Sequence, residues 1–356
     1  MTPFTYSPKA YDIFIGLDVD KNSFSFTVRD HGTMKRSKRI PSDPEHLLRY
    51  IQKSFPHQRV LCAYEAGPTG FHLYDNLTAR NLDCFVLSPS SIPKPPNARV
   101  KNNRLDSERI VEHIRSKDTH PIRVPQGPYR ELRHLVTLRE NYVSAQKTAK
   151  QRIKALVLYA HLASELTSDA DTRWSKAYIE HLKKIPCSAC VRQRLDMLLS
   201  DLDYARRQTL AIHRALKAFC QKHKEIIRNI GYLRSIPGIG FITAVTLLGR
   251  IGDPQQLRNV RELGAFIGLV PREKSTGDEI NYGSITHLGN HTLRSLLIEA
   301  AWVAIRYDTE LNQFYHRIKA RHHPKIAALK AIVAVARKLT HRIYRVLKEQ
   351  RMYLTH

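Results

Sequence analysis

The spacing of apolar residues changes once along this chain, and that change limits the folds open to it. Over the first ~115 residues, runs of period two alternate with runs of helical period. Ile13 to Val19 is a short apolar run, Ser23 to Arg29 alternates polar and apolar residues, and Met34 to Ile40 reads as a third strand. Pro44 to Ser54 places Leu47, Leu48 and Ile51 on one side of a helix. Arg59 to Glu65 and Leu82 to Leu87 read as further strands, on either side of a helix from Phe71 to Arg80. A loop rich in Pro and Ser runs from Ser88 to Pro96, and another helix begins near Asn103. Three strands, helix, strand, helix, strand, helix contain two βα crossovers, so part of the sheet is parallel and carries helices on its faces.

A second Pro-rich stretch, Pro121 to Pro128, marks a domain boundary. Beyond it the pattern is helical. Leu132, Leu135 and Leu138 sit three apart, apolar residues recur through Leu158, and a second long helix runs from about Val191 to Phe219. Two long amphipathic helices with basic outer faces predict either a coiled-coil hairpin or an ordinary two-helix packing unit. The stretch 163–189 is poorly patterned and fits a helical insert. From Ile230, helices alternate with Gly-rich turns as far as Gly289, and two helices close the chain. The expected division is an α/β domain over 1–125, a helical coiled-coil-like region over 126–228 and a mainly α domain over 229–356. A chain of 356 residues is long enough to build two or three cores.

Charge narrows the function. Lys and Arg number 58 against 32 Asp and Glu, a formal net charge of +26. Such an excess favours a polyanionic partner through phosphate neutralisation and counterion release. A hydrophobic content of 42% argues for folded domains rather than a basic tail. Five scattered cysteines, an odd number, fit a reducing compartment. Cys187 and Cys190 form a C-x-x-C pair, but no second pair completes a zinc set, so they read as ordinary thiols. No basic segment followed by a long apolar run opens the chain, so no signal peptide is expected. Ile326 to Ala336 is broken by Lys330 and is too short to span a bilayer. A soluble intracellular protein is expected.

Three carboxylates form a constellation. Asp18 ends the first strand, Glu65 ends the fourth, and Asp106 lies in the first turn of the helix near Asn103. Parallel neighbours would deliver Asp18 and Glu65 to one edge of the sheet, where α/β sites form. Converging there, the three could hold one or two Mg²⁺ or Mn²⁺ ions and support phosphodiester cleavage. Asp106 has a second reading, as the partner of an Asn103 N-cap. The two roles are compatible.

The segments GLDVDK, YEAGPTG and VKNNRLDS, in this order and spacing, resemble the RuvC-like domain of the DEDD-type insertion-sequence transposases, the IS-one-ten family related to the Piv DNA invertases. SIPGIGFITAVTLLGRIGD, FIGLVPREKSTG and GSITHLGNHTLRSLLIEAA resemble that family's C-terminal transposase domain. The resemblance implies an RNase H-like first domain, with Asp18, Glu65 and Asp106 at acidic positions of the motif. The third position, usually Asp, is Asn103 here. Its amide can offer a metal a neutral carbonyl oxygen, but it binds more weakly and cannot act as a base. The family's covalent serine, near a P-x-x-x-S-S-G-like motif, falls on Ser275 or Thr276, counting from Pro271. A primary hydroxyl is less hindered, which favours Ser275, and Arg272 and Lys274 beside it could stabilise transition-state charge. The family further implies strand transfer between DNA donor and target, guidance by a noncoding bridge RNA, and a homo-oligomer, a tetramer built from dimers. It also implies a composite site shared between subunits, and a prokaryotic, cytoplasmic, nucleoid-associated setting.

Nucleic-acid contacts are expected elsewhere as well. Lys101 and Arg104 flank the acidic motif. Ser235 to Gly240 resembles a helix-hairpin-helix turn in which Gly238 and Gly240 admit a phosphate, or simply a tight turn between helices. Gly289, Asn290, His291 and Arg294 open a further helix and could act similarly. From His316 to Lys348 there are ten Lys or Arg and no Asp or Glu, a single-sign stripe that suits phosphate. His322 and His323 read as surface residues. Two other classes compete with a recombinase: a RuvC-like junction nuclease that hydrolyses with water and needs no hydroxyl nucleophile, and a non-catalytic nucleic-acid-binding protein.

Overall fold

The computed structural model describes residues 6–92, 103–116, 119–162, 174–276, 279–286 and 288–354. The chain falls into two compact units, Met1–Val124 and Pro125–His356.

The first unit is built on five strands, β1 (Ile13–Val19), β2 (Ser23–Arg29), β3 (Lys35–Pro41), β4 (Val60–Glu65) and β5 (Asp83–Leu87), in the order β3-β2-β1-β4-β5. β1 pairs antiparallel with β2 and parallel with β4, which in turn pairs parallel with β5. Alternation along the strands sorts side chains to two faces. One face sends Ile13, Ile15, Leu17, Phe26, Cys62 and Tyr64 against α1 (Pro44–Ser54) and α2 (His72–Thr78). The other sends Phe14, Leu61, Ala63, Phe85 and Leu87 against Ile110, Val111 and Ile114 of α3 (Asn103–Arg115). Asp43 caps α1 by accepting from the Glu45 amide, and Pro44 supplies the preset first turn. β3 is almost wholly exposed and rich in Lys and Arg, which protects a sheet edge from adding strands.

The second unit is mainly helical. α4 (Gly127–Tyr159) and α6 (Ala189–Lys222) are its longest elements. Tyr129, Leu132 and Val136 at the start of α4 share a core with Ile212, Leu216 and Cys220 at the end of α6. Ile153 and Leu156 near the end of α4 pack with Leu195 and Leu199 near the start of α6, so the pair is antiparallel. Between them lies α5 (Lys176–Lys184), inside the stretch whose pattern was weak; Ser175 caps it. α7 (Lys224–Arg234), α8 (Phe241–Ile251) and α9 (Val260–Ile267) follow, and later α10 (His291–Tyr307), α11 (Thr309–Lys319) and α12 (Pro324–Glu349). Ala331, Val335, Ala336, Leu339 and Ile343 of α12 run through the core.

One element differs from the sequence expectation. Where Gly-rich turns between helices were expected, β6 (Pro271–Thr276) and β7 (Glu279–Ile285) form a two-stranded antiparallel ribbon. The segment Arg-Glu-Lys-Ser-Thr has no apolar residue, so no period-two signal marks it as a strand.

Candidate active site: an acidic sheet edge and a hydroxyl-bearing ribbon

In the parallel pair β1–β4, Leu17 stands opposite Tyr64. The next residues, Asp18 and Glu65, therefore occupy the same level on adjacent strands and the same face, the one covered by α3. Both are half-buried. The height of α3 over this face is set by a glycine. A Cβ on Gly16 would lie 2.4 Å from the Ser107 carbonyl oxygen and 2.4 Å from the Val111 amide nitrogen, so the helix backbone rests directly on β1. A hydroxyl chain fixes the same contact. The buried Ser107 hydroxyl donates to the Arg104 carbonyl at 2.9 Å and lies 2.9 Å from that of Thr27, which is in turn 3.0 Å from Ser37. With Ser107 pinned over Gly16, Asp106 is held in the first turn of the helix that covers Asp18 and Glu65.

Asp106 is half-exposed and accepts from Arg109 at 3.0 Å. Arg104, exposed, donates to Glu108 at 3.0 Å. α3 already includes Asn103, one residue earlier than a capping role would place the helix start; Lys101 and the side chain of Asn103 lie outside the described residues. The donor set is all hard oxygen, which suits Mg²⁺ or Mn²⁺. Among the described residues, however, no three His, Cys, Asp or Glu side chains gather closely enough to hold a metal ion. The fold thus puts Asp18 and Glu65 on one face, under the helix that carries Asp106, but among the described residues the three are not closed into a cage, and Asp106 is engaged by Arg109. Gly16, Thr27 and Ser107 were not singled out from sequence. The available signal was a glycine inside an apolar strand, Ile-Gly-Leu-Asp.

Ser275 and Thr276 end β6, opposite Ile280 and Glu279 of β7, and Arg272 and Lys274 lie on the same strand. Their side chains lie outside the described residues, as does Gly277. Gly268 ends α9 in the left-handed region at φ 81°, and a Cβ there would meet the Leu288 carbonyl oxygen at 2.2 Å. Arg294, buried at 9% exposure, donates to the carbonyls of Leu288 at 3.1 Å and of Gly268 and Thr286 at 3.4 Å. Asn290 caps α10, its side-chain oxygen accepting from the Leu293 amide at 3.0 Å. Arg294 therefore ties the ribbon's two ends together, and Asn290 starts the helix that carries it.

The two glycines of the helix-hairpin-helix-like turn differ. Gly238 has φ 87°, and a Cβ on it would meet the Ala300 carbonyl oxygen at 2.2 Å, so its role is close packing on α10. Gly240 caps α8 and has nothing within 4 Å of its Cβ position. The basic stripe is also uneven. Arg342 is buried, pairing with Asp308 at 2.5 Å and Glu310 at 2.6 Å, and Lys338 pairs with Glu310. Arg317, Lys319, Arg321, Lys325, Lys330 and Arg337 are exposed. Burial raises the Asp308 carboxyl, but the Leu311 amide, Arg342 and Tyr353 outweigh it and hold it below the ordinary carboxylate range. Cys187 and Cys190 are free thiols, half-buried and exposed. Among the described residues no helix is long and apolar enough to cross a membrane.

An acidic sheet edge under a helix, followed by a helical unit that carries a Ser-Thr ribbon, is matched by known sequences. Residues 15–161 match the DEDD transposase family of the IS110 type, and residues 231–316 match the family described as transposase IS116/IS110/IS902. The protein y4qE of Sinorhizobium fredii strain NGR234, which carries a transposase name, is 27% identical over 85% of this chain and 74% of its own length. The transposase for insertion sequence element IS1111A of Coxiella burnetii is 26% identical over 82% of this chain and 78% of its own. That for IS1328 of Yersinia enterocolitica is 26% identical over 91% and 93%. The chain is a DEDD transposase, an enzyme class that cuts and rejoins DNA. Within that class it belongs to the IS110 family, which implies an RNase H-like fold for the first unit and DNA as substrate.

Proposed function

We propose that this transposase joins strands through a covalent protein–DNA intermediate, using the acidic edge of the first unit and a hydroxyl of the β6–β7 ribbon. The observation that carries the reading is the shared level and face of Asp18 and Glu65, with the first turn of α3 held on that face by Gly16 and Ser107. Asp18, Glu65 and Asp106, with the Asn103 amide as a weaker donor, would hold Mg²⁺ or Mn²⁺ once Asp106 leaves Arg109. Bound there, the ion would supply charge neutralisation at the scissile phosphate. Ser275, or Thr276, attacks phosphorus. A bond from its oxygen to phosphorus forms, the bond to the leaving strand's oxygen breaks, and that oxygen takes up a proton. The reverse step, with the hydroxyl of an exchanged strand as nucleophile, restores a phosphodiester and the free side chain. Arg272 and Lys274 lie on the same strand as the hydroxyls and would offset the developing negative charge. Lys101, Arg104, Gly240 and the exposed cations of α11 and α12 would contact backbone phosphate. Following the family resemblance, the two parts come from different subunits of a tetramer built from dimers, with a coiled-coil arm over 126–228 and guidance by a bridge RNA.

The test is adduct formation on a substrate carrying the element's own ends. The wild-type chain gives a protein–DNA adduct that resists denaturation. Ser275→Ala or Thr276→Ala, whichever removes the nucleophile, abolishes both adduct and cleavage. Cleavage that persists without adduct in the double variant would assign the chain to hydrolytic junction nucleases instead.

A further inference from the structure

On the second unit, one groove is walled by cations, with no carboxylate among its described lining residues. Its volume is about 290 Å³, and its walls include Lys147, Lys150 and Lys154 of α4 together with Trp174. Positions 147, 150 and 154 are three and four apart, so the three ammonium groups share one helix face. Arg206 of α6 adds a fourth cation, donating to the Trp174 carbonyl at 2.9 Å. The Lys150 ammonium sits 5.7 Å from the centre of the indole ring. Trp174 is half-buried and adopts φ 54°, an uncommon conformation for so bulky a residue. Its ring packs edge-on against Tyr178 at 5.3 Å, and with the Arg206 bond this fixes where the indole stands.

Like charges at these spacings repel. Burial, Arg206 and Lys154 together hold the Lys150 amine below its ordinary range. A fold that keeps such a cluster beside a fixed aromatic wall is complementary to an anion that carries a planar group. Duplex DNA presents phosphates but keeps its bases stacked inside; a single strand presents both.

We propose that this groove holds a phosphodiester segment of a single nucleic-acid strand, its phosphates on Lys147, Lys150 and Lys154 and one unstacked base against Trp174. The proposal rests on the family's handling of nucleic acid and is independent of the acidic site. Ribo- and deoxyribonucleotide strands share this chemistry, and the experiment separates them. Trp302→Phe leaves Trp174 as the sole tryptophan, since the chain has two. Fluorescent strands of about 12 nucleotides, RNA and DNA, and a duplex of equal length are titrated into that background. Single strands should quench Trp174 and the duplex should not; the strand type that quenches at lower concentration is the groove's occupant. Lys150→Gln with Lys154→Gln should weaken single-strand binding about tenfold and reduce the slope of log affinity against log salt by about 1.4. Trp174→Leu should weaken binding about tenfold and leave the salt slope unchanged. Asp18→Asn should abolish cleavage and leave both binding readouts intact, so failure of the acidic site and failure of the groove are told apart. Unchanged affinity and slope in the lysine variant, or equal quenching by duplex and single strand, would overturn the proposal.

Discussion

The acidic edge and the Ser-Thr ribbon are held by opposite means. Asp18 and Glu65 end central strands whose inward residues are buried on both sides, so their level and face follow from sheet register. Ser275 and Thr276 end a strand of a two-stranded ribbon whose base, among the described residues, is fixed by backbone packing at Gly268 and by Arg294. A two-stranded ribbon on its own is marginal in water. The carboxylates are thus positioned by the core, whereas the strand that carries the hydroxyls is tied down at its base by a clamp. Substitutions that look equally remote from chemistry should therefore act differently in the two units.

The largest effect should come from Gly16→Val. The added side chain has no room between β1 and α3, and the chain should lose on the order of 3 kcal/mol or more, read by urea unfolding. Hydrogen exchange should show the loss in β1 and α3. Retained stability would mean that α3 is not seated on the strand. Next, Arg342→Ala leaves the buried Asp308 without its main partner and should destabilise the second unit by about 3 kcal/mol. The sign with pH follows from the lowered Asp308 carboxyl. Its contribution is full above the ordinary carboxylate range and is lost as pH falls through the lower folded value. The wild type should thus destabilise on acidification below pH ~4, and Arg342→Ala should show a weaker dependence there. The smallest effect is expected from Asn290→Ala. Loss of the α10 cap should remove about 1 kcal/mol and loosen the ribbon's return. If adduct formation is unaffected while β6–β7 amides exchange faster, the clamp does not position the hydroxyls.

Apart from the exposed β3, the strands and helices of the first unit were legible because each buries a face with its own period, and Asp18 and Glu65 stand where those periods end. Their shared level was not readable, since register is set by pairing between distant segments. Nor was the seat of α3 on Gly16. In the second unit the long helices were legible from their apolar repeats, and the 176–184 helix only as an insert somewhere within 163–189, its segment being short and mostly polar. The β6 strand has no apolar residue between Pro271 and Gly277, so it gave no period-two signal. Gly238, Asn290 and Arg294 stood out as glycine, amide and cation near helix starts, which suits phosphate. Only the packing reveals that Gly238 meets α10 and Arg294 meets three carbonyls.

If Asp18, Glu65 and Asp106 act together, the acidic edge binds a divalent ion as one site. Mn²⁺ titration of the intact protein, followed by the loss of free-ion paramagnetic signal, measures this without any reaction. Asp18→Asn, Glu65→Gln and Asp106→Asn should each weaken binding by roughly a hundredfold, and the effects should be far from additive because the three share one ion. Wild-type affinity in the Asp18 and Glu65 variants, or no Mn²⁺ bound by the wild type with DNA present, would contradict it.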